Sequence, residues 1–404
     1  MVKTDSDNRN KDVPQCSQYS LSDLISGTTV EEQLLSFVLP NLRAGGAEQV
    51  VITLLNGLAS RGYSVELLLS EYSGPLKTEL DDSVKVATLP PARTSVFGVA
   101  AHLPAIAMYL QQKNPAAMFP HLEHPSVVCL TAHIATDTDT VVIPTQHSTL
   151  VGPGGGTPKD RIVDNLVPHL YPSANRIIAV AQGVANSITE RTAVDPSDVS
   201  ILHNPVDIDR IQRQAQEPLE HDWFVNDELK VILFVGRIAP EKDLQTWLQV
   251  FNSVHAENPR TRAVIAGRGP DREELLQFAE RLGIADVVAM PGYVDNPYKY
   301  MKRASVFLLS SRREGLPTVL IEALACGCPV VATDCRSGPR EVLADGQFGQ
   351  LAPVAEPSQI AKAVSEVLEQ SPAPAKLRSR ADNFAATSVL DDYEQFLTEH
   401  VFGT

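Results

Sequence analysis

The sequence is short of the features that mark secreted, membrane-spanning and nucleic-acid-binding proteins. Its 404 residues contain only five cysteines, an odd number at scattered positions, which favours reduced thiols over a disulfide framework. No apolar run approaches the roughly 18 to 20 residues that span a bilayer, and the N-terminus lacks the apolar segment of a secretory signal. Lys and Arg number 34 against 49 Asp and Glu, for a net charge of −15. This acidic balance disfavours a nucleic-acid-binding protein, which would be expected to carry a basic surface.

Two short patterns resemble metal sites but are better explained without a metal. Cys326-Gly-Cys328, with Cys335 nearby, lies between an apolar helix and an apolar strand, and no matching His or Cys pair follows. These thiols are expected to be small buried apolar groups. Asp137-Thr138-Asp139 precedes a strand of the first half, away from the glycine-rich and basic loops, and is expected to be a solvated turn. The glycine-rich stretch 151–158 is expected to be a flexible loop.

Short β-rich runs alternate with helical segments along almost the whole chain, which predicts an α/β fold with parallel sheets covered on both faces. A polar, irregular stretch separates two such series. The predicted segments are a solvated tail at 1–33, a first domain at 34–210, a linker at 211–228, a second domain at 229–385, and a C-terminal helix at 386–404 that can pack back on the first domain. Two doubly wound domains that face each other would enclose a ligand cleft.

The stretch "EGLPTVLIEALAC" (314–326) predicts a buried helix with two carboxylates that need partners. The helix is apolar nearly all round, yet Glu322 lies in its middle and Glu314 just before its start. Pro317 suits the first helical turn, where free amides at Gly315, Leu316 and Thr318 would face a ligand. Carboxylates accept hydrogen bonds from vicinal hydroxyls, so the element could bind sugar rings. The alternative is an ion pair between Glu322 and a cation such as Arg237 or Arg340.

Two loops that follow predicted strands could bind an anion. Gly236, Arg237 and Lys242 follow the first strand of the second domain, where a diphosphate would need cations. Gly45 and Gly46 precede a helix whose N-terminal amides could hold an anion. Taken alone, each loop could equally be a solvated turn.

Several motifs together resemble one enzyme family. "REGLPTVLIEALACGCPVVATD" resembles the Glu-x7-Glu motif of retaining GT-B glycosyltransferases, in particular glycosyltransferase family 4. "GGAEQ", "HNPVD" and "VGRIAPEKD" resemble the family's N-terminal glycine loop, interdomain segment and phosphate-binding loop. "AGRGPDREEL", "PGYV" and "SGPREVL" are similar to further blocks in the same order, over about residues 34–385. The resemblance implies a GT-B fold, with two doubly wound Rossmann-like domains facing each other across a cleft.

The resemblance also implies roles for individual residues. Arg237 and Lys242 would neutralise the donor diphosphate, Glu322 would hold the ribose hydroxyls, and Glu314 would contact the transferred sugar. His147, which ends "VVIPTQH", matches the family's histidine near the reacting sugar. The other implied contacts lie in the glycine loops and at the helix entry: Gly45, Gly46, Gly236, Gly315, Leu316, Pro317 and Thr318. The chain departs from the family at Ala181 and Gln182, where relatives often have Ser and a charged residue.

The implied activity is retaining transfer of a hexose or N-acetylhexosamine from a nucleotide diphosphate sugar, with UDP preferred, to a glycan or lipid-linked acceptor. No metal or cofactor is expected, because Arg, Lys and helix-terminal amides would meet the leaving-group charge. The expected setting is surface polysaccharide or glycoconjugate assembly in the cytoplasm or at the inner face of the membrane. The alternatives are a nucleotide-sugar 2-epimerase of the same architecture and a non-catalytic nucleotide-sugar binding module.

Overall fold

A computed structural model describes residues 18–21, 33–43, 45–90, 100–150 and 157–403. Within these residues all neighbouring strands pair in parallel, as the alternation of strands and helices predicts. The glycine-rich loop predicted at 151–158 falls largely outside the described residues.

The described residues of the first lobe contain nine parallel strands in two sheets. The strands are β1 (Gln18–Ser20), β2 (Leu35–Leu39), β3 (Val65–Leu69), β4 (Lys85–Thr88), β5 (Ala117–Pro120), β6 (Val141–Val142), β7 (Thr145–Gln146), β8 (Ile177–Ala179) and β9 (Val199–Ile201). Their order is β1-β4-β3-β2-β5-β6 in one sheet and β7-β8-β9 in the other. The α-helices of this lobe are Gly46–Ser60, Leu103–Lys113, Glu123–Ile134, Pro158–Leu170 and Gln182–Arg191.

The second lobe is built on one six-stranded sheet. Its strands are β10 (Lys230–Val235), β11 (Thr261–Ala266), β12 (Val288–Gly292), β13 (Val306–Leu309), β14 (Val330–Thr333) and β15 (Gln350–Ala352). Their order is β12-β11-β10-β13-β14-β15. The α-helices are Leu244–Glu257, Arg272–Arg281, Tyr298–Met301, Thr318–Cys326, Pro339–Val342, Pro357–Glu369 and Pro374–Ala381. The two strands at the centre, β10 and β13, are almost wholly buried, which explains why they are apolar without alternation.

The N-terminal segment is not wholly a solvated tail, contrary to our expectation for residues 1–33. Gln18–Ser20 forms β1, which extends the first sheet by pairing with β4. The adjacent Leu21 is 4% exposed and belongs to the core. The stretch is too short and too polar for a periodicity argument to identify it, so the strand is specified by the open edge of β4.

The linker is also more regular than its polar composition suggested. Helix Ile208–Ala215 extends into it, and helix Asp222–Val225 lies within it. The first begins at Asp207, whose side chain accepts a hydrogen bond from the Arg210 amide. Ile208, Ile211 and Ala215 form its buried face, which packs on helices of the second lobe. The sequence did not predict this amphipathic helix of about two turns, because polar and charged residues separate its three apolar positions.

The chain returns to the first lobe at its C-terminus. Helix Ala386–Leu397 packs on helix Gly46–Ser60, and its Leu390 and Phe396 belong to the core of the first lobe. At the point of return, Val206 and Ala385 pair as an isolated β-bridge. The two lobes are therefore joined by two chain segments that run side by side.

Candidate active site

The second lobe places its predicted phosphate and sugar residues at the centre of its sheet. The strand order reverses between β10 and β13, and doubly wound sheets bind ligands outside the carboxyl ends of their strands at such a point. Gly236 and Arg237 follow β10 directly, whereas Glu314 lies in the loop after β13. The fold therefore brings together residues that are nearly eighty positions apart in the sequence.

Lys242 and Glu314 form an ion pair at this edge. The Lys242 Nζ lies 2.6 Å from Oε1 of Glu314, and the two side chains are 17% and 9% exposed. Ser311 also donates its hydroxyl to Glu314. The loop is held further by Ser310, whose hydroxyl donates to the Lys242 carbonyl. Sequence analysis assigned Lys242 to a diphosphate and Glu314 to a sugar, and the structure brings both groups to one point where each neutralises the other.

Arg237 is an exposed cation on the side of the second lobe that faces the first. Its side chain is 72% exposed and pairs with Glu241 one helical turn along the chain. Glu48 of the first lobe faces it, and the pKa of the Glu48 carboxyl is raised because burial outweighs the opposing effects of its own backbone N–H and of Arg237. The Glu48 carboxylate lies over Gly45, where an added Cβ would come within 2.2 Å of Oε2. Both predicted anion-binding loops, one in each lobe, therefore border the same cleft.

The lobes touch where Gly315 meets His147. A Cβ at Gly315 would lie 1.9 Å from the carbonyl oxygen of His147, and Ser148 forms an antiparallel bridge with Gly315. The neighbouring Leu316 carbonyl accepts a hydrogen bond of 3.3 Å from the side-chain amide of Asn204, which also belongs to the first lobe. Glycine at 315 is thus required by close approach of the two lobes, since any side chain would separate them.

Replacing Gly315 by alanine should therefore disturb the contact between the lobes. The obstacle is backbone and cannot rotate away, so we expect a loss of about 1–3 kcal/mol in the free energy of unfolding. Urea denaturation measures this loss, and small-angle X-ray scattering should report a larger radius of gyration. Gly46→Ala is the matched control, because nothing lies within 4 Å of a Cβ at Gly46. An unchanged stability and radius for Gly315→Ala would contradict the close approach.

Glu322 lies on helix Thr318–Cys326, which begins directly after Pro317. The helix is buried apart from the side that borders a cavity of about 540 Å³ between the lobes. Thr318 and Glu322 line this cavity on one side, and Gly46 lines it on the other. The cavity therefore joins a carboxylate of the second lobe to the glycine loop of the first.

The environment of Glu322 does not match the ion pair that we considered as the alternative. Arg237 pairs with Glu241, and Arg340 pairs with Asp334 and with Asp345. Burial raises the pKa of Glu322 to about 7, against the opposing effects of Arg210 and of a hydrogen bond from Thr318. Among the described residues, no cation is within ion-pair distance of this carboxylate.

Sequence analysis did not single out four residues that border the site. Arg210 and Tyr298 line the Glu322 cavity, and Glu79 of the first lobe forms an ion pair with Arg210 across it. His121 follows β5 and lies 2.8 Å from His147 between ring nitrogens. His121 could have been predicted from the sequence, because it directly follows β5, next to the point where the first sheet reverses its strand order. Arg210 gave no such signal, because it lies in a polar helix of the linker.

The remaining predicted features lie away from this cleft or near its rim. The amide of Gln182 donates to Glu341 of the second lobe, 2.9 Å away, so this departure from the family motif lies at a contact between lobes. Cys326 and Cys328 are buried, and burial raises the pKa of both thiols, that of Cys326 to about 12. Within the described parts of the chain, no three His, Cys, Asp or Glu side chains converge as metal ligands would. A search of those same residues for a helix with the length and apolarity of a membrane span found no example.

Two family models match the chain, one for each lobe. The model described as Glycosyltransferase Family 4 matches residues 44–210, and that described as Glycosyl transferases group 1 matches residues 216–384. Together they cover most of the sequence. The domain division predicted from sequence, with the change near residue 210, lies close to the gap between the two matches.

Similar proteins include named enzymes and solved structures. The N-acetylgalactosamine-N,N'-diacetylbacillosaminyl-diphospho-undecaprenol 4-alpha-N-acetylgalactosaminyltransferase of Campylobacter jejuni is 28% identical over 361 residues, covering 88% of this chain and 94% of the relative. The N-acetyl-alpha-D-glucosaminyl L-malate synthase of Bacillus anthracis is 24% identical, with 88% and 91% covered. The crystal structure of Anabaena Alr3699/HepE in complex with UDP and glucose has a TM-score of 0.73 at 20% identity, covering 91% of this chain and 100% of that one.

These matches agree with the two lobes of parallel α/β structure described above. The structural neighbours are GT-B glycosyltransferases, and the architecture predicted from the sequence is confirmed. The chain belongs to the group 1 and family 4 glycosyltransferases of GT-B fold, and it is a glycosyltransferase.

Proposed function

We propose that this glycosyltransferase transfers a hexose or N-acetylhexosamine from UDP to a lipid-linked saccharide, with retention of anomeric configuration. The observation that carries the proposal is that Arg237, the Lys242–Glu314 pair and the cavity-facing Glu322 all lie on the side of the second lobe that faces the first. A sugar nucleotide presents the complementary groups, namely a diphosphate and two sets of ring hydroxyls.

The binding of the donor follows from these positions. Arg237 would pair with the diphosphate in place of Glu241, and the amides at the start of helix Thr318–Cys326 would face phosphate or sugar oxygens. Glu322 would accept hydrogen bonds from the ribose hydroxyls. The diphosphate would also attract Lys242, which would leave Glu314 to accept hydrogen bonds from the transferred sugar.

Names of similar proteins support the finer points of the proposal. The Anabaena structure contains UDP and glucose, which supports UDP as the nucleotide. The Campylobacter relative is named for a diphospho-undecaprenol-linked acceptor, which supports a lipid-linked saccharide. Both named relatives form alpha linkages. Because common UDP-hexoses are alpha-linked, an alpha product corresponds to retention.

Retention would proceed on one face of the transferred sugar. The bond from C1 of the sugar to the diphosphate breaks, and the acceptor oxygen forms its bond to C1 on the same side. The departing diphosphate oxygen takes the acceptor's proton, so no separate base is required. Arg237 and Lys242 would stabilise the charge that develops on this oxygen.

Arg237→Ala should remove donor binding while leaving the fold intact. We expect UDP-sugars to raise the free energy of unfolding of the wild type by about 2.7 kcal/mol at a hundredfold excess over Kd. The Arg237→Ala protein should show almost none of this stabilisation, because the diphosphate loses its cation. The fold should be retained, because the Arg237 side chain is 72% exposed and, among the described residues, forms an ion pair with Glu241 alone. A thermal-shift series with UDP, UDP-glucose and UDP-N-acetylgalactosamine measures the effect, and Arg260→Ala, at an exposed turn, is the control. Equal shifts in Arg237→Ala and wild type would contradict the assignment of the diphosphate site.

Product analysis separates the proposal from its two alternatives. With a lipid-linked saccharide acceptor, proton NMR of the product should show the coupling constant of an alpha anomeric proton. One UDP should be released for each sugar transferred. A 2-epimerase would release a free epimerised sugar without acceptor, and a binding module would release no UDP in any mixture. A beta-linked product would contradict retention of configuration but would still demonstrate sugar transfer.

A further inference from the structure

A second histidine, His121, lies behind His147 and is buried in the first lobe. His121 is 1% exposed, whereas His147 is only partly buried. Nδ1 of His121 lies 2.8 Å from Nε2 of His147, a hydrogen-bond distance between two imidazole rings. His147 is the residue whose carbonyl oxygen meets Gly315 of the second lobe. The pair therefore reaches from the core of the first lobe to the cleft.

The backbone and a neighbouring ring hold His121 in one orientation. Its amide donates to the Val38 carbonyl at 3.0 Å, and its ring stacks on Phe37 with an interplanar angle of 18°. The next residue, Leu122, has φ of 72° and ψ of 158°, a conformation that a leucine rarely adopts. Strained backbone of this kind is often found at functional sites. The ring of His121 cannot turn away from His147 without disturbing this packing.

Both rings are neutral near neutral pH. Burial lowers the pKa of His147 to about 4, and burial together with the neighbouring His147 lowers the pKa of His121 well below its usual value. A hydrogen bond between two neutral imidazoles needs one proton on the shared side. Either His121 donates from Nδ1 to His147, or His147 donates from Nε2 to His121.

The second nitrogen of His121 decides between the two arrangements. Nε2 of His121 is buried and has no hydrogen-bond partner among the described residues. If His147 were the donor, His121 would carry its own proton on Nε2, and a buried N–H group would lack an acceptor. Orphaned buried N–H groups are rarer than buried acceptors that lack a donor. If His121 instead donates from Nδ1, its buried Nε2 carries no proton, and no N–H group is left without an acceptor.

We propose that His121 is a positioning residue that holds His147 in the tautomer with its proton on Nδ1. His147 then offers the cleft a hydrogen-bond donor rather than a base, since Nε2 is engaged by His121 and Nδ1 carries the proton. Nδ1–H would donate to a hydroxyl oxygen of the transferred sugar, a consequence that rests on the proposed function. It also agrees with a reaction in which the diphosphate, and not His147, takes the acceptor's proton.

The tautomer can be measured without any substrate. Long-range proton–nitrogen correlation spectra of the full ¹⁵N-labelled chain distinguish an imidazole protonated at Nδ1 from one protonated at Nε2. The His147 signals are assigned as those lost in His147→Gln. We expect the Nδ1–H pattern in the wild type and the Nε2–H pattern in His121→Phe, because free imidazoles favour Nε2–H. His121→Asn, whose side-chain amide can donate near the position of Nδ1, should restore the wild-type pattern.

Two outcomes would overturn the inference. The first is an Nε2–H tautomer of His147 in the wild type, and the second is an unchanged tautomer in His121→Phe. His169→Phe, at an exposed position on helix Pro158–Leu170, is the matched control and should leave the His147 signals unchanged.

Kinetics then connect the tautomer to transfer. His121→Phe should lower kcat about tenfold with a smaller change in donor KM, the size expected for one misplaced hydrogen bond in the transition state. His121→Asn should recover most of the rate. An unchanged kcat in His121→Phe would overturn the catalytic role of the pair. Absence of transfer by the wild type with every donor, together with the expected tautomer, would instead contradict the proposed function.

Discussion

Replacing Glu314 by glutamine should lower the rate of sugar transfer by about 100-fold or more while leaving the protein folded. The estimate follows from the usual cost of removing one preorganised electrostatic group from an active site, about 10²–10³ in kcat. Glu314 has a second role, since it neutralises Lys242 in a largely buried pair. The substitution should therefore impair both the sugar contact and the position of the cation. Steady-state kinetics with saturating donor and acceptor measure the loss in kcat.

Stability measurements separate the two roles of Glu314. Removing one partner of a buried ion pair typically costs about 3–5 kcal/mol. Glu314→Gln should therefore also lower the free energy of unfolding, by an amount toward the lower end of this range because Lys242 is 17% exposed. The double variant Glu314→Gln with Lys242→Met removes both charges and should recover much of the stability without recovering activity. Glu369→Gln, at an exposed helix end, is the matched control. If Glu314→Gln had the kcat of the wild type, Glu314 would have no role in catalysis.

The second large effect concerns the pH dependence of stability at Glu322. The folded protein raises the pKa of this carboxyl from 4.5 to about 7, chiefly by burial. Between these two values the folded state keeps a proton that the unfolded chain has released. Stability therefore falls as pH rises through this window, and the penalty is fully present above pH 7. A shift of this size corresponds to at most about 3 kcal/mol, less where the cavity admits water.

Glu322→Gln should remove this penalty. The variant should gain stability relative to the wild type on going from pH 5 to pH 8, by up to about 3 kcal/mol, measured as the difference in free energy of unfolding by urea. Because the other titrating groups are common to both proteins, their effects cancel in this comparison. The same substitution should weaken the binding of UDP-sugars, since an amide cannot replace a carboxylate as the acceptor of two hydroxyl protons. Such a gain in stability with a loss of binding is typical of functional sites.

Arg210 supplies an internal test of the same explanation. Its charge opposes the effect of burial on Glu322, and Glu79 holds it beside the cavity. Arg210→Met should raise the pKa of Glu322 further, so the loss of stability with rising pH should extend to higher pH. If the stability difference between wild type and Glu322→Gln is the same at pH 5 and pH 8, burial does not control this carboxyl.

Elements with strong local patterns were predictable from the sequence. The alternation of apolar strands with amphipathic helices specified parallel sheets, and Pro317 followed by an apolar run specified the helix that carries Glu322. The same local patterns failed at β1 and at helix Ile208–Ala215. Residues 18–20 form a strand because β4 offers an open edge, and the linker helix forms because the second lobe covers its three apolar residues.

The sequence by itself determined the fold class, the family and the chemical types gathered at the cleft, since these depend on local periodicity and on motifs that lie within about twenty residues. Only the tertiary structure decided which groups meet. It paired Lys242 with Glu314, set Glu79 and Arg210 beside Glu322, and placed His121 behind His147. The physical reason is that burial, and with it the pKa of a carboxyl or an imidazole, depends on which distant segments cover the group, and a local pattern carries no record of those segments.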